Sequence, residues 1–194
     1  RVSRARRPDT ADALPAILDF QRQLDELDVE LILVPVPPKS IVYADKLSSG
    51  APLPTPLLRL DPAHQSFYEL LRREGVTVID LTEIFLENRA HPEGFIYCRQ
   101  DTHWSGTACV LAAEAVARVV RERPWYAALE KQELDHAWHT TTITGDLWRE
   151  LRDEAVPREE LRLRRITRKS GASIEPDRQS PIVLLGDSHS LVFH

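Results

Sequence analysis

Apolar and polar positions along this chain recur with two different periods. A spacing of three to four residues, typical of a helix that packs on one side, predicts helices over residues 12–27, 63–73, 81–86 and 105–123. Short apolar runs predict buried strands at 29–34, 76–80 and 182–185, and a weaker strand at 134–144. Helices that alternate with apolar strands predict an α/β fold, a three-layer sandwich in which helices flank a mostly parallel sheet.

The clearest helical pattern covers residues 105–123. Ser105 is a favourable N-cap residue, and Pro124 stops the pattern at its other end. The apolar surface is wide and leaves only a narrow polar stripe. We therefore expect a mostly buried helix that packs on the sheet and holds the residues just before Ser105 in place.

Composition narrows the class of protein. The chain has 194 residues, of which 42% are hydrophobic and 28% are charged, which is typical of one globular domain with its own core. No run approaches the ~20 apolar residues that cross a bilayer. A net charge of -5 argues against nucleic acid as a partner, because phosphate binding needs a concentrated basic face.

The basic residues that do cluster indicate how the chain is organised. Those at the start end at Pro8, and we predict a linker or tail over residues 1–10 and a single domain over 11–194. The basic residues between 162 and 169 alternate with apolar ones, which favours the solvated face of a strand. A strand-turn signal lies directly before His194, so we expect the natural domain to continue beyond it. Residues 48–62 are rich in Pro, Ser and Gly and predict a surface loop.

The two cysteines, Cys98 and Cys109, do not form a CxxC pair. This spacing argues against a structural zinc site. The sequence permits a disulfide between them without establishing one.

The first candidate for chemistry is Asp101-Thr102-His103-Trp104. A carboxylate two residues before a histidine can orient the imidazole and stabilise its charged form. The imidazole can then remove a proton from a hydroxyl group. The alternative is a loop histidine that caps the helix beginning near Ser105.

The second candidate is Gly186-Asp187-Ser188-His189-Ser190, directly after an apolar run. A serine on a tight strand-to-helix turn is exposed, and nearby backbone N–H groups can receive an oxyanion. The alternative is a plain turn, since Gly, Asp and Ser are common turn residues. The occurrence of both motifs in one α/β chain favours the catalytic interpretation.

These motifs resemble a known family. Gly186-Asp187-Ser188 is similar to the nucleophile block of SGNH (GDSL-type) hydrolases, and Asp101-x-His103-Trp104 resembles the alginate O-acetyltransferase group, where this block also precedes the serine. Residues 35–43 resemble the Pro-x-Pro-x-Lys loop of that group, and Gly145-Asp146-Leu147 resembles a further short block. The resemblance implies an SGNH-hydrolase-like (flavodoxin-like) fold.

It also implies a catalytic triad in which Ser188 is the nucleophile, His103 the base and Asp101 its orienting partner. The Ser188 amide would contribute to the oxyanion hole. We expect substrate-binding roles for Lys39, Tyr43, Trp104 and His189. The implied activity is that of a polysaccharide O-acetyltransferase or acetylesterase that works through a serine acyl-enzyme, without metal or organic cofactor.

The expected partners are an acetylated or acceptor polysaccharide and an exopolysaccharide synthesis and acetylation complex at the membrane, and not nucleic acid. The expected location is the periplasm or another extracytoplasmic compartment, with any membrane anchor outside this chain. One alternative is a metallophosphoesterase, although its Gly-Asn-His and Gly-His-x-His blocks do not occur here. The others are a non-catalytic polysaccharide-binding domain and a plain esterase or lipase.

Overall fold

The computed structural model of the protein describes residues 12–47, 58–191 and 193. The helices are α1 (Leu14–Asp25), α2 (Lys39–Val42), α3 (Pro62–Arg73), α4 (Thr82–Glu87), α5 (Gly106–Arg121), α6 (Asp146–Leu151) and α7 (Ser188–Leu191). The strands are β1 (Ile32–Leu33), β2 (Thr77–Val78), β3 (Leu134–Ile143) and β4 (Glu159–Arg168). The predicted tail over 1–10 and residues 48–57 of the predicted loop lie outside the described residues.

The central layer is the parallel pair of β1 and β2, in which Ile32 pairs with Thr77 and Leu33 with Val78. Side chains in and around β1 alternate between two apolar clusters. Ile32 and Val34 pack against the cluster that includes α5, whereas Leu33 packs against the cluster formed with α1 and α3. Because successive side chains of an extended segment point to opposite faces, helices cover this pair on both sides. The predicted three-layer arrangement is therefore present around β1.

The N-terminus of α5 is built as the sequence predicts. The Ser105 hydroxyl accepts the Ala108 N–H at 3.4 Å, and the Ser105 amide donates to the Ile96 carbonyl at 2.8 Å. Tyr97 and Trp104 form an isolated antiparallel bridge beside these contacts. The residues between them must therefore form a loop whose two ends are tied together next to the buried start of α5.

Strands β3 and β4 form an antiparallel hairpin whose register runs from Leu134 opposite Arg168 to Ile143 opposite Glu159. Arg162 and Arg168 share one face of β4 and are both exposed, as predicted for the second basic cluster, whereas Arg165 is exposed on the opposite face. The hairpin also returns the chain to the loop before α5, because α6 follows β3 and precedes β4.

The predicted buried strand at 182–185 is wrong for this structure. The side chains of Val183, Leu184 and Leu185 are 81%, 79% and 74% exposed, and the segment forms no strand within the described chain. Apolar composition favours burial, but a strand also needs a neighbour that pairs with its N–H and C=O groups. No described strand supplies that neighbour here.

Both cysteines are free thiols, so the disulfide that the sequence left open is not formed. Burial raises the pKa of the Cys98 thiol to about 12, and likewise that of Cys109 to about 12. Thiols with such pKa values remain protonated near neutral pH and are poor nucleophiles. Among the helices that the structure describes, none is both long and apolar enough to span a membrane.

Candidate active site

Asp101 and His103 form a closely coupled pair. Oδ1 of Asp101 lies 2.6 Å from Nδ1 of His103 and also accepts the His103 backbone N–H at 2.9 Å. An ionised carboxylate only accepts hydrogen bonds, so Nδ1 carries the proton of the ring. Nε2 is then the nitrogen with a lone pair, and the ring is arranged as a base.

The other carboxylate oxygen of Asp101 is held from a distant part of the chain. Oδ2 accepts the backbone N–H of Asp146 at 2.9 Å. Burial alone would raise the pKa of Asp101, but the amides of His103 and Asp146 and the His103 ring outweigh it, so that the pKa lies below its ordinary value. The carboxylate therefore stays ionised opposite the imidazole.

Two further side chains hold the loop of residues 98–103, which we call the Asp101 loop. The Lys39 amino group donates to the Cys98 carbonyl at 2.6 Å and to the Asp101 carbonyl at 2.9 Å. The Glu159 carboxylate accepts the amides of Arg99 at 2.8 Å and Gln100 at 2.7 Å. The loop backbone is thus fixed from α2 on one side and from β4 on the other.

A glycine allows α6 to approach this loop closely. A Cβ atom at Gly145 would lie 2.0 Å from the Gln100 carbonyl oxygen and 2.9 Å from the Asp101 Cβ. Any side chain at this position would force the Asp101 loop away from α6. This contact gives a structural reason for the short Gly145-Asp146-Leu147 block, to which the sequence alone assigned no role.

The turn of residues 186–190, the Ser188 turn, meets the Asp101 loop. The Trp104 indole N–H donates to the His189 carbonyl at 2.8 Å, and the rings of His103 and His189 lie 4.9 Å apart between centroids. A Cβ atom at Gly186 would lie 1.8 Å from the Ser190 hydroxyl and 2.7 Å from the Ser190 Cβ, so a larger residue there would force Ser190 to shift. The structure brings the two sequence motifs together.

Ser188 itself is exposed at the start of α7. Among the described residues its hydroxyl forms no hydrogen bond with His103, and the ring of His189 lies against the His103 ring instead. Within the part of the chain that the structure describes, the segment before the turn pairs with no strand, so no described strand sets the position of Ser188 relative to His103. The nucleophilic role of Ser188 stays a prediction.

The four residues predicted to bind substrate are placed in two ways. Lys39 and Tyr43 direct their polar groups to the backbone, the Tyr43 hydroxyl donating to the Arg89 carbonyl and accepting the Ile96 N–H, both at 3.1 Å. Trp104 and His189 lie at the contact between the two motifs. The latter two are the better placed to meet a substrate, and binding by any of the four stays a prediction.

A cavity of about 370 Å³ opens beside the Asp101–His103 pair. It is lined by Cys98, Asp101, His103, Ile143, Thr144, Asp146, Arg149 and Phe193. Sequence reasoning missed Arg149 and Asp146, which reach the site from α6. The only signal was their position in or just after the Gly145-Asp146-Leu147 block.

Asp101, His103 and Asp146 are also close enough to be considered as metal ligands, since one ligand atom from each lies within 4.8 Å of the others. The hydrogen bonds within the group already use much of this donor set. The two Asp101 oxygens accept three N–H groups, and one of these three is the ring Nδ1–H of His103. The donor set fits a hydrogen-bonded pair better than a cation site.

Comparison with known proteins decides the family. Residues 1–193 match the family described as SGNH hydrolase-like domain, acetyltransferase AlgX. The chain belongs to this family. The resemblance inferred from the two motifs is confirmed.

The sequence identity between this chain and individual curated relatives is low. The chain is 26% identical over 188 residues to the probable alginate O-acetylase AlgJ of Pseudomonas putida, covering 91% of this chain and 47% of that relative. It is 28% identical over 187 residues to the protein of the same name from Pseudomonas aeruginosa, covering 88% of this chain and 46% of that relative. The chain thus spans about half the length of the curated relatives it matches.

Solved structures agree on the fold. The O-acetyltransferase domain of Pseudomonas putida AlgJ superposes with a TM-score of 0.58 at 25% identity, covering 78% of this chain and 53% of that one. Bacillus cereus PatB1 superposes with a TM-score of 0.53 at 19% identity, covering 82% of this chain and 52% of that one. The predicted SGNH-hydrolase-like α/β fold is confirmed by the family match and by these structures.

Proposed function

We propose that this SGNH-hydrolase-like domain transfers acetyl groups to a polysaccharide through an acyl-enzyme on Ser188. The observation that carries the proposal is the hydrogen-bonded Asp101–His103 pair, onto which the Ser188 turn docks through Trp104 and His189. The family match and the printed names of the AlgJ relatives support acetyl transfer as the reaction.

The chemistry has two halves that use the same base. In the first, Nε2 of His103 takes the proton of the Ser188 hydroxyl while Oγ attacks the carbonyl carbon of a donor acetyl ester. The ester C–O bond breaks, and His103 returns the proton to the departing alcohol. In the second, a sugar hydroxyl attacks the acetyl-serine, gives its proton to His103, and that proton passes to Oγ as the serine is released.

Asp101 does not take the proton in this scheme. It keeps Nδ1 of His103 protonated and stabilises the imidazolium that forms in each half-reaction. The scheme also requires Oγ of Ser188 within hydrogen-bond distance of Nε2. We therefore expect the Ser188 turn to move toward His103, with the His189 ring giving way, when a donor binds.

The names of the relatives and one cavity residue support an acidic polysaccharide as acceptor. The AlgJ relatives are named for O-acetylation of alginate. Arg149 lines the cavity beside His103 and is exposed. A guanidinium group there suits the carboxylate of an acidic sugar. We further propose that the reaction takes place outside the cytoplasm, in exopolysaccharide modification. The domain would work there with a membrane-associated acetylation complex.

The test is mass spectrometry of the intact protein after exposure to p-nitrophenyl acetate. A single acetyl group should appear, and peptide mapping should locate it on Ser188, because the other predicted members of the triad do not hold the acyl group. Ser188→Ala should remove the adduct and the esterase activity while leaving the circular dichroism spectrum unchanged.

Ser190→Ala is the matched control, because it removes a hydroxyl from the same turn two residues away. The control protein should still form the adduct. An adduct that persists in Ser188→Ala would overturn the proposal, because another residue would then carry the acetyl group.

A further inference from the structure

Asp101 is held at both oxygens, and only one of them is held by its predicted catalytic partner. Oδ1 faces His103, whereas Oδ2 accepts the Asp146 amide at 2.9 Å. The terminal torsion of an aspartate has a broad energy profile, so a carboxylate held at one oxygen can turn. The Asp146 amide removes that freedom and keeps Oδ1 in line with Nδ1 of His103.

The Asp146 amide is itself fixed against the Asp101 loop. The Asp146 carboxylate accepts the Thr102 amide at 2.8 Å and the Thr102 hydroxyl. The adjacent Gly145 lies so close to the loop that no side chain fits there. The Trp148 amide adds a bond of 3.1 Å to the Gln100 carbonyl. The first turn of α6 is therefore held against the Asp101 loop by contacts on either side of the Asp101 Oδ2 atom.

We propose that Asp146 is a positioning residue of the acetyl-transfer site and acts through its backbone N–H, which sets the orientation of Asp101 toward His103. The inference rests on the proposed function for its link to activity. It adds to the predicted triad a fourth position that acts without touching the reacting atoms.

The backbone around Asp146 permits a substitution that removes the N–H. Asp146 is the first residue of α6, a position where proline is well tolerated. Gly145 has φ -67° and ψ 162°, which is the extended conformation that a residue before proline prefers. Asp146→Pro removes the carboxylate and the N–H, whereas Asp146→Ala removes the carboxylate alone. In Asp146→Pro the ring Cδ also lies where the N–H pointed, toward Oδ2 of Asp101, so this variant both removes the hydrogen bond and displaces the carboxylate.

The first readout is kinetic. Asp146→Pro should lower kcat about tenfold or more below Asp146→Ala, as expected for loss of a hydrogen bond to a charged group. KM should be the same in both variants, because the amide does not contact substrate. Equal kcat values in the two variants would overturn the proposal.

The second readout is spectroscopic and needs no substrate. A histidine Nδ1–H held by a carboxylate gives a far-downfield proton resonance. It should be present in the wild type and in Asp146→Ala, and should broaden or disappear in Asp146→Pro. A resonance unchanged in Asp146→Pro would overturn the proposal, whereas a purely structural role would lower the thermal midpoint without this pattern.

The third readout remains available if Asp146→Pro does not fold. In Asp146→Ala, the chemical shift of the amide at position 146 should follow the titration of Asp101, and Asp101→Asn should abolish that response. An amide that does not respond to pH would overturn the proposal. Other charged or titratable groups around Asp101 have to be followed in the same spectra; these are Lys39, Cys98, His103, Arg149, Glu159 and His189.

The two spectroscopic readouts use neither Ser188 nor a substrate. They can therefore fail while Ser188 still forms an acetyl adduct, and they can succeed when it does not. Failure of this inference is thus distinguishable from failure of the proposed function.

Discussion

Oδ1 of Asp101 accepts two hydrogen bonds from His103, one from the ring at 2.6 Å and one from the backbone amide at 2.9 Å. A single oxygen therefore fixes both the main chain and the ring of a residue two positions further on. The side chains of Asp101 and His103 are 13% and 21% exposed, so this hydrogen bond is only partly screened by solvent.

The ionised state of Asp101 makes the stability of the protein pH-dependent. Its pKa in the folded protein lies below the ordinary value of 3.8, so its contribution is present above that value and is lost as pH falls through the lower folded pKa. Asp101→Asn should lower the thermal midpoint near neutral pH, and the gap to the wild type should close in acid. Thermal scans of both proteins across that range test this. A gap that stays constant with pH would show that the charge of Asp101 is not what stabilises the loop.

Replacing His103 should be about as damaging as replacing Ser188, because a serine hydroxyl without a base is a poor nucleophile. His103→Ala should lower kcat by about three orders of magnitude, and the double variant with Ser188→Ala should lose little more. Acetyl transfer to oligosaccharide provides the measurement. His139→Ala is the control, since His139 is exposed on β3. Additive losses in the double variant would argue against a shared mechanism.

The buried face of α5 should be sensitive to charge. Ala112 is 6% exposed within the apolar cluster that packs on β1, whereas the next residue, Ala113, is exposed. Ala112→Asp should destabilise the protein by about 2 kcal/mol or more, because it buries a carboxylate without a partner. Ala113→Asp makes the same chemical change on the solvent side and should have little effect. Urea unfolding of both variants tests the difference, and equal midpoints would contradict the packing described.

Chelation separates the proposed mechanism from the phosphoesterase alternative. The Asp101 oxygens already accept three N–H groups, so we expect the activity not to depend on a cation. Esterase activity should be unchanged after dialysis against EDTA. Activity that is lost and then restored by zinc or manganese would favour a metal-dependent hydrolase.

Arg149 should affect binding of the polysaccharide and not the chemistry. Because it lines the cavity beside His103, Arg149→Ala should raise KM for an acidic polysaccharide about tenfold and leave the rate with p-nitrophenyl acetate unchanged. Added salt should narrow the difference. Arg165→Ala, which removes an exposed arginine from β4, is the comparison variant. An equal change in both variants would mean that net charge, rather than this position, controls binding.

Local features of the sequence predicted much of the fold. Serine is favoured at helix N-caps, and Ser105 caps α5. The apolar residues around β1 alternate between two clusters, as expected for a strand that is covered on both faces. The Asp101–His103 pair was also predictable, because its partners lie two positions apart and the geometry is set by the intervening loop.

Features that depend on distant residues were not predictable. Nothing local to Asp146 indicates that its amide meets Asp101, since that contact arises from how the β3–β4 hairpin returns the chain. The segment at 182–185 shows the converse. Its apolar composition indicated a strand, but burial of a strand depends on a neighbouring edge, and a single sequence does not show which edge is available.

The anchors of the Asp101 loop also affect the order of folding. Asp101 and His103 are near neighbours in the chain, but the residues that hold their loop are distant from it. Lys39 and Asp146 bond to Asp101 across 62 and 45 residues, and Glu159 bonds to Arg99 across 60 residues. Contacts of such high sequence separation carry a loop-closure cost and tend to form late. In a partly folded chain, α5 would therefore form before the Asp101 loop becomes ordered and orients His103 as a base. Recovery of activity during refolding should lag behind recovery of helical circular dichroism.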